Sequence, residues 1–334
     1  MEVTYRAHPQ VTVQVAYAEF VATNLTTYSQ FISLLTQNAN KWAGQGWGGY
    51  VVLGGGARTS VGLAMYNTNL SQADANVSIA PIMSFVNSSA SAETLASGLV
   101  TLSSYYQAYQ IFIQSNGEKV GLGNALSSRL IPKSLLATKV RSRICNFEAQ
   151  KVLINHLQQG QATVSTALSN ISNNITYPTS PFQKDPLSPT YGAPLQILMT
   201  TPYNYNPPAG ESFTDSSVTP AWRNATWHVC ISEYFSNEAN ITTIQSLLAA
   251  VSSEADILRK LTPDSGAYQN EADVFEPDPI NSYWGQANYK KLKAIKKQVD
   301  PTNILTCWGC IGWNPNDPRY SCYPSIPGVT PKAL

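Results

Sequence analysis

Hydrophobic and polar residues recur with different periods along the chain, and these periods predict both strands and helices. Residues 3–20 are rich in β-branched and aromatic side chains without a helical period, which predicts an extended segment. In YSQFISLLTQNANKW the apolar residues return at near-helical intervals and predict a helix. Two strands, Tyr50–Leu53 and Val61–Tyr66, are predicted on either side of a glycine-rich turn.

Further elements are predicted in the rest of the chain. Residues 71–110 are predicted to be mostly helical, through ADANVSIAPIMSFV and AETLASGLVTLSSYY, and a less regular helix is predicted near Ile144–Leu157. APLQILM and TWHVCISEYF predict buried strands, and TIQSLLAAVSSEADILRKL predicts a helix. Helices beside several non-repeating strands indicate an α+β layered domain.

The amino-acid composition and net charge narrow the kinds of partner that this chain is expected to bind. Only 12% of the 334 residues are charged and the net charge is +1, which gives no electrostatic reason to expect nucleic acid or an anionic membrane as a partner. The opening MEVTYRAHPQ has no apolar run, so no signal peptide is predicted, and no stretch reaches the length of a membrane span. Met1 precedes a strand-like pattern almost directly, so we expect that the chain lacks its beginning.

Eight Asn-x-Ser/Thr sequons favour a secreted glycoprotein, because they accompany a low charge content. They lie at Asn24, Asn69, Asn76, Asn87, Asn170, Asn174, Asn224 and Asn240. The cysteines are Cys145, Cys230, Cys307, Cys310 and Cys322. Because proline and glycine follow the CxxC pair Cys307–Cys310, we expect a structural disulfide there, with Cys322 as a further candidate partner, rather than a redox pair at a helix N-terminus.

Two other motifs are weighed and set aside. Gly44–Gly49 satisfies GxGxxG, but it follows a helix and precedes a strand, the reverse of the dinucleotide-binding order, so a simple connection is expected. The histidines His8, His156 and His228 show no zinc-ligand spacing, and no metal site is predicted. No GxSxG elbow supports a hydrolase.

The most organised stretch lies near the C-terminus. An extended reading of GAYQNEAD places Tyr268, Asn270 and Ala272 on one face, with the phenol and the amide about 7 Å apart. In NYKKLKAIKKQV, apolar residues at helical spacing form a stripe opposite several lysines, and Asp300-Pro301 ends the helix. From spacing alone, Tyr268 and Asn270 are either site residues or partners of nearby backbone groups.

The residues of this stretch follow a series of motifs that is typical of a known protein family. From Gly266 to about Asn303 the chain reads Tyr-x-Asn, Trp-Gly, Asn-Tyr-x-x-Leu-x-x-Ile-Lys and Asp-Pro-x-Asn, in that order. The series closely resembles the C-terminal signature of berberine bridge enzyme-like flavoproteins, within the vanillyl-alcohol oxidase and p-cresol methylhydroxylase superfamily. SSRLIPKSLL and VTPAWRNATWHV are similar to segments of that family's substrate domain.

The resemblance implies an architecture around FAD. In the family, a substrate domain with an antiparallel sheet backed by helices covers the flavin, and a C-terminal segment returns to the FAD-binding domain. By this likeness residues 1–260 correspond to the substrate domain and residues 261–334 to the C-terminal segment, with the FAD-binding domain absent from this chain. None of the histidines or cysteines matches the family's covalent attachment residues.

The resemblance also implies roles for individual residues. Tyr268 and Asn270 would face flavin and substrate, and Asn303 matches the Asp-Pro-x-Asn position. The family often places a general base on a central strand, here TWHVCISEYF, where Cys230 lies near the expected position and Glu233 is the only carboxylate. The catalytic candidates are therefore Tyr268 and Glu233, and the cofactor-binding candidates are Asn270 and Asn303.

The reaction implied is oxidation of a C–H bond next to oxygen or nitrogen, with hydride passing to FAD and then electrons to O2. The expected partner is a small molecule, a carbohydrate, an alcohol or an aromatic compound, with no nucleic acid and no membrane. Two alternatives stay open. One is a non-catalytic secreted glycoprotein that uses the substrate domain as a binding module, and the other is a fragment without a function of its own.

Overall fold

The fold is taken from a computed structural model of the protein. It describes residues 9–54, 59–88, 91–114, 122–137, 147–174, 195–207 and 216–323, with the short stretches 4, 7, 209–210 and 325. In this part of the chain no helix combines the length and the apolar character needed to cross a membrane. The cysteine Cys145 and the histidine His8 of the sequence analysis lie outside the described residues.

The strands form one antiparallel sheet. They are β1 (Val13–Ala22), β2 (Gly48–Leu53), β3 (Ser60–Asn67), β4 (Ser91–Leu102), β5 (Leu122–Pro132), β6 (Leu195–Leu198) and β7 (Ala225–Ser236). Their order in the sheet is β4-β1-β3-β2-β6-β7-β5, and neighbouring strands are antiparallel throughout. The α+β class with an antiparallel sheet and flanking helices is confirmed.

The helices in the described part of the chain flank this sheet. They are α1 (Leu25–Gly44), α2 (Gln72–Val86), α3 (Tyr105–Phe112), α4 (Phe147–Asn174), α5 (Ala221–Asn224), α6 (Ile241–Leu261) and α7 (Gln286–Val299). Short 3-10 turns occupy Lys133–Leu136, Gln269–Glu271 and Pro318–Tyr320, and a π-helical turn occupies Ile280–Trp284. The glycine connection behaves as expected, because α1 ends at Gly44 and β2 begins at Gly48.

One face of the sheet is covered by α1, α2, α4 and α6, which form the helical layer. Strand side chains such as Phe20, Met65 and Val229 are fully buried against helix side chains such as Phe31 and Trp42. Burying each large apolar side chain contributes about 1.5–3 kcal/mol, so this layer holds most of the hydrophobic stabilisation. The predicted helices at residues 28–42, 73–86 and 243–261 therefore lie among the helices that build the core.

Within the described residues, helix α3 covers one end of the opposite face, where it packs on Val13, Val15 and Tyr66. Residues that face each other across antiparallel strands point to the same side of a sheet. The registers place Tyr17, Ala64, Tyr50, Leu198 and His228 in one row across five strands, on the side away from the helical layer. We call this side the open face.

The structure corrects one predicted element. AETLASGLVTLSSYY was expected to be helical, but its first part forms β4, an edge strand paired with β1. Alanine, leucine and glutamate favour helices by only tenths of a kcal/mol per residue. Backbone pairing along β1 and the packing of Leu102 under α3 outweigh that preference.

The segment GAYQNEAD also differs from its prediction. It was expected to be extended, but Gln269–Glu271 form a single 3-10 turn that directly follows Tyr268. The turn brings the Asn270 amide to the Tyr268 hydroxyl, where the extended geometry would have held them about 7 Å apart. It also turns Glu271, which the extended pattern had placed on the other face, towards the open face.

The C-terminal segment packs beside the sheet without adding a described strand to it. Helix α7 ends before Asp300-Pro301 as predicted, and Tyr289 at its start is buried. The predicted apolar stripe is only half covered, since Ile295 is 54% and Val299 73% exposed. Beyond the helix, Cys307 and Cys310 form a disulfide pair with Cα atoms 5.1 Å apart, and Cys322 is free. The boundary between residues 260 and 261 stays a prediction.

Candidate active site

Three rings meet at the end of the open face that lies next to the C-terminal segment. Trp222, on α5, packs edge-on against His228 of β7 with ring centroids 5.3 Å apart. Tyr268 makes edge contacts with both, at 5.9 Å each. The T-shaped arrangement is the favourable one for aromatic pairs, so the ring of Tyr268 has a defined position beside β7.

The backbone around Tyr268 is fixed by hydrogen bonds to β5 and to the π-helical turn. The amide of Tyr268 donates to Ser128 Oγ at 3.3 Å, and the amide of Leu130 donates to the carbonyl of Gly266 at 2.8 Å. The side chain itself is 40% exposed. Its hydroxyl accepts a 3.1 Å hydrogen bond from Asn270 Nδ2, so a solvent-accessible phenol is held on a rigid support.

A second cluster lies directly beside this phenol and combines His228, Cys230 and Glu271. The Cys230 thiol donates to Glu271 Oε2 at 3.2 Å, and its sulfur lies 3.6 Å from His228 Nε2. His228 Nδ1 lies 3.6 Å from the same carboxylate oxygen. His228 and Cys230 are buried, whereas Glu271 is 35% exposed.

Burial sets the protonation states of this cluster. It lowers the pKa of His228 to about 4, so the imidazole is neutral at pH 7 and its contact with Glu271 is not an ion pair there. Burial, together with the charge and hydrogen bond of Glu271, raises the pKa of the Cys230 thiol. The cluster therefore carries a neutral imidazole and a neutral thiol.

Tyrosines line the open face further from β7. Burial raises the pKa of Tyr66 to about 12, with smaller contributions from Tyr105 and Tyr50. The pKa of Tyr50 is raised by burial and by the nearby Tyr105 and Glu271. Gly62, on the neighbouring strand, has open space above it. The open face therefore presents neutral phenols around the open space above Gly62.

Glu233 is not brought to Tyr268. It lies three residues after Cys230 on the regular strand β7, and alternation along a strand places the two side chains on opposite faces. Its cross-strand neighbour Ala125 belongs to the core under the helical layer. Burial there raises the pKa of Glu233 to about 7.

Asn303 also lies apart from this pair, and within the described residues no hydrogen bond joins it to Tyr268 or Asn270. It adopts a left-handed backbone conformation with φ of 53°, which asparagine tolerates better than most residues. Its Nδ2 is 3.5 Å from the carbonyl of Gly312. Its buried Oδ1 accepts no hydrogen bond from the described part of the chain.

A cavity of about 200 Å³ lies behind the turn that carries Asn270. Its walls include Gln269 and Asn270 on one side and Trp308, Trp313 and Tyr323 on the other. Ligand pockets usually measure about 300–1,000 Å³. The cavity is smaller than that range, so the open face is the better candidate for a large planar ligand.

Sequence reasoning did not identify Trp222, His228 and Glu271. A signal for part of the cluster was present, because His228 and Cys230 are two residues apart in a predicted strand and must share a face. The approach of Glu271 could not be read in the same way, since it depends on a 3-10 turn 41 residues further along the chain.

Comparison with known proteins gives a consistent picture. Residues 267–307 match the family described as "Berberine and berberine like". FAD-linked oxidoreductase cheF of Chaetomium globosum is 26% identical over 336 residues, which cover 98% of this chain and 46% of that protein. FAD-linked oxidoreductase ffsJ of Aspergillus flavipes is 29% identical over 92% of this chain and 48% of its own length. The chain thus spans about half the length of these relatives.

Solved structures share the fold at low sequence identity. A VAO-type flavoprotein of Myceliophthora thermophila C1 superimposes with a TM-score of 0.64 at 20% identity, covering 91% of this chain and 49% of that chain. A carbohydrate oxidase of Microdochium nivale gives 0.54 at 12% identity, covering 91% and 56%. The chain therefore carries a berberine-like segment, is homologous to FAD-linked oxidoreductases and has the fold of the VAO-type flavoproteins.

Proposed function

We propose that this chain forms the substrate side of a FAD-linked oxidoreductase that oxidises a C–H bond next to oxygen or nitrogen, with O2 as the electron acceptor. One observation carries the proposal. The hydrogen-bonded pair Tyr268 and Asn270 of the berberine-like segment lies beside His228 at the edge of the tyrosine-lined open face. Homology to FAD-linked oxidoreductases supports the reaction class.

The described residues fit a flavin by the chemistry of their donors and acceptors. A planar ring system with polar edge atoms needs aromatic surface and hydrogen-bonding groups side by side. Trp222 and Tyr268 supply aromatic surface, and the exposed amide of Asn270 supplies a donor and an acceptor. The unpartnered, buried Oδ1 of Asn303 is an acceptor that a cofactor N–H or O–H would satisfy. Asn270 and Asn303 are thus the residues proposed to hold FAD, which would supply the hydride acceptor.

In the proposed reaction, side chains of this chain would carry out the proton transfer. We assign removal of the hydroxyl or amine proton of the substrate to the Tyr268 oxygen, because it is exposed and fixed in place. For this step Tyr268 must first give up its own proton: as a phenolate it accepts the proton of the substrate and becomes a neutral phenol. The Asn270 N–H, which already donates to that oxygen, would stabilise the negative charge of the phenolate before the transfer. Glu233 receives no role in this scheme, since it faces the helical layer.

The exposed apolar residues of the C-terminal segment support a further part of the proposal. Ile295 and Val299 on α7, and Ile304 and Leu305 after it, are all more than half exposed. Large apolar side chains grouped on a surface usually mark an interaction site. We propose that this surface packs against the FAD-binding domain of the functional protein.

The substrate we propose is a small carbohydrate, alcohol or aromatic compound. Neutral tyrosines around the open space above Gly62 suit stacking on a sugar or an aromatic ring. A structural neighbour from Microdochium nivale is a carbohydrate oxidase, which supports the first of these classes.

We further propose that the protein is secreted and glycosylated. Among the described residues, seven sequon asparagines have exposed side chains. They are Asn24, Asn69, Asn76, Asn87, Asn170, Asn224 and Asn240. The sequon Asn174 lies at the end of α4, and its side chain is outside the described part of the structure.

The test uses the longest product that the gene encodes, because the chain spans about half the length of its relatives. We expect the purified protein to absorb between about 350 and 500 nm, as bound oxidised flavin does. Rapid mixing with candidate carbohydrates, alcohols and aromatic compounds should bleach that absorbance for a true substrate. Protein without flavin would contradict the proposal and favour the non-catalytic binding glycoprotein.

Tyr268→Phe tests the catalytic assignment. The variant should keep its flavin absorbance but reduce the flavin about 100- to 10,000-fold more slowly, the usual contribution of a general base. Tyr323→Phe is the matched control, because Tyr323 is 41% exposed, close to the 40% of Tyr268, and lies in the C-terminal tail. Equal rates for Tyr268→Phe and the parent protein would remove Tyr268 from the mechanism.

A further inference from the structure

The cluster of His228, Cys230 and Glu271 has the dimensions of a metal site. One ligand atom from each residue lies within 4.8 Å of the others. Tetrahedral zinc, with bonds of about 2.0–2.3 Å, requires ligand atoms roughly 3.3–3.8 Å apart. The Cys230 sulfur is 3.6 Å from His228 Nε2 and 3.2 Å from Glu271 Oε2. The three side chains therefore need only small shifts to enclose an ion.

The type of ligand points to a borderline-soft divalent cation. A thiolate, an imidazole and a carboxylate together suit Zn²⁺, whereas Mg²⁺ and Ca²⁺ prefer oxygen ligands alone. The imidazole of His228 offers Nε2 towards the thiol and Nδ1 towards the carboxylate, which leaves either nitrogen available.

Charge balance also favours a divalent ion. An ion with two positive charges would neutralise one thiolate and one carboxylate, with release of the thiol proton of Cys230, giving a site of zero net charge. A neutral site is much less costly than an isolated charge in a place where two of the three ligands are buried.

The position of the cluster leaves room for a fourth ligand. The two buried residues rise from one face of β7, and Glu271 closes the site from the C-terminal segment while staying 35% exposed. Zinc sites with three protein ligands keep their fourth position for water or another small ligand. We propose that His228, Cys230 and Glu271 form a three-ligand binding site for Zn²⁺ on the open face. The proposal does not depend on the oxidoreductase function.

Cobalt substitution tests the site directly. The metal-free chain is titrated with Co²⁺ in the absence of reductant, so that the Cys307–Cys310 pair stays oxidised. We expect one bound ion, with visible bands of tetrahedral cobalt and a near-ultraviolet thiolate-to-cobalt charge-transfer band. Zn²⁺ should displace the cobalt with one-to-one stoichiometry. A parent chain that binds no cobalt would overturn the proposal.

Matched variants locate the ion. Cys230→Ser is close in size to the parent and should lose the charge-transfer band, with metal affinity reduced at least tenfold. Glu271→Gln should keep the band but bind more weakly. Cys322→Ser and Cys145→Ser, which remove thiols elsewhere in the chain, should bind as the parent does. Circular dichroism of each variant confirms that it is folded. Retention of the band in folded Cys230→Ser would show that the ion binds elsewhere.

Discussion

Glu233 lies on the helical-layer side of β7, where little water reaches its carboxyl group. Burial raises the pKa of this group from 4.5 to about 7. The folded state therefore keeps a proton on Glu233 at pH values where the unfolded chain has already lost it. The free energy of unfolding contributed by this group is highest below the unfolded pKa and falls as the pH rises through 7.

We expect Glu233→Gln to abolish this pH dependence, because an amide does not ionise. Between about pH 4 and pH 8, the free energy of unfolding of the variant should rise relative to the parent by about 2 kcal/mol, after allowance for partial exposure of the carboxyl. Urea denaturation at both pH values measures the difference. Glu238→Gln, at an exposed position after β7, is the control. The same pH dependence in parent and Glu233→Gln would contradict the assignment of burial.

Glu233 looked like a site residue in the sequence for its chemistry rather than for its place on β7. Along β7 the apolar residues Trp227, Val229 and Ile231 alternate with the polar residues His228, Cys230 and Ser232. Glu233 falls on the apolar side of this alternation, so it was its carboxyl group and not its position that suggested a site. Tyr268 and Asn270 were easier, since they belong to one short motif and are held together by a local hydrogen bond. The structure therefore brings Tyr268 and Asn270 together and places Glu233 on the opposite face of the sheet, while the functional roles of all three residues stay predictions.

At the scale of elements, Arg259 ties α6 to the C-terminal segment. Its guanidinium bonds to Asp273 and lies 3.1 Å from Glu276 Oε2. Both carboxylates have only 3% of their side-chain surface exposed. Although burial alone lowers the pKa of Arg259, Glu276 and Asp273 raise it overall, so the arginine stays charged. The berberine-like segment is thus anchored by one cation between two buried anions.

Loss of that cation should strongly destabilise the fold. Arg259→Ala removes the cation that lies between two buried carboxylates, which keep only neutral hydrogen-bond donors such as Ser252 and Ser282, and loss of one partner of a buried ion pair typically costs about 3–5 kcal/mol. Arg319→Ala is the comparison, because Arg319 pairs with Asp317 at the surface, where solvent screens the two charges, so its loss should destabilise the fold far less. Urea denaturation of both variants measures the two losses. Similar losses would mean that the buried network does not anchor the segment.

A helix or strand could be predicted from the sequence when the residues that stabilise it lie within the same segment of the chain. Helix α1 and helix α6 were predicted because their apolar periodicity lies within the segment itself, and the structure adds that their caps, Asn24 and Asn240, are local as well. Strand β4 was predicted as a helix because its partner β1 lies about 80 residues away in the chain. A strand at the edge of a sheet owes its conformation to that partner more than to its own residues.

At the scale of the whole molecule, the exposed sequons lie mainly on the helices and their ends. Asn76 and Asn170 project from α2 and α4 of the helical layer, and Asn24 and Asn240 cap α1 and α6 of the same layer. Sugars attached there would add polar surface to a chain in which only 12% of the residues are charged. The tyrosine row of the open face carries no sequon among its described residues.

Glycosylation is tested on protein secreted from a yeast host. We expect treatment with an N-glycosidase to lower the mass, with conversion of sequon asparagines to aspartate in peptide maps. Thr242→Ala should remove modification at Asn240 without affecting helix stability, because the Asn240 cap of α6 remains. Asn240→Ala should remove both the modification and the N-terminal cap of α6, and the loss of the cap should cost about 1 kcal/mol of stability. An unchanged mass after treatment would contradict the glycoprotein proposal.

The sequence by itself determined the features whose causes lie close together in the chain. These are the amphipathic helices, the strands with short apolar runs, the end of α7 at Asp300-Pro301 and the berberine-like motif from Gly266 to Asn303. Each follows from residues that are neighbours along the chain, where periodicity and backbone restrictions act directly.

Only the tertiary structure decided the features that join distant residues. Pairing with β1 made β4 a strand, and the order of the seven strands determined which face stays open. The turn after Tyr268 brought Glu271 to Cys230 across 41 residues of sequence. Such contacts depend on the free energy of the whole packed molecule, because a local segment stabilises them only once its distant partners are in place.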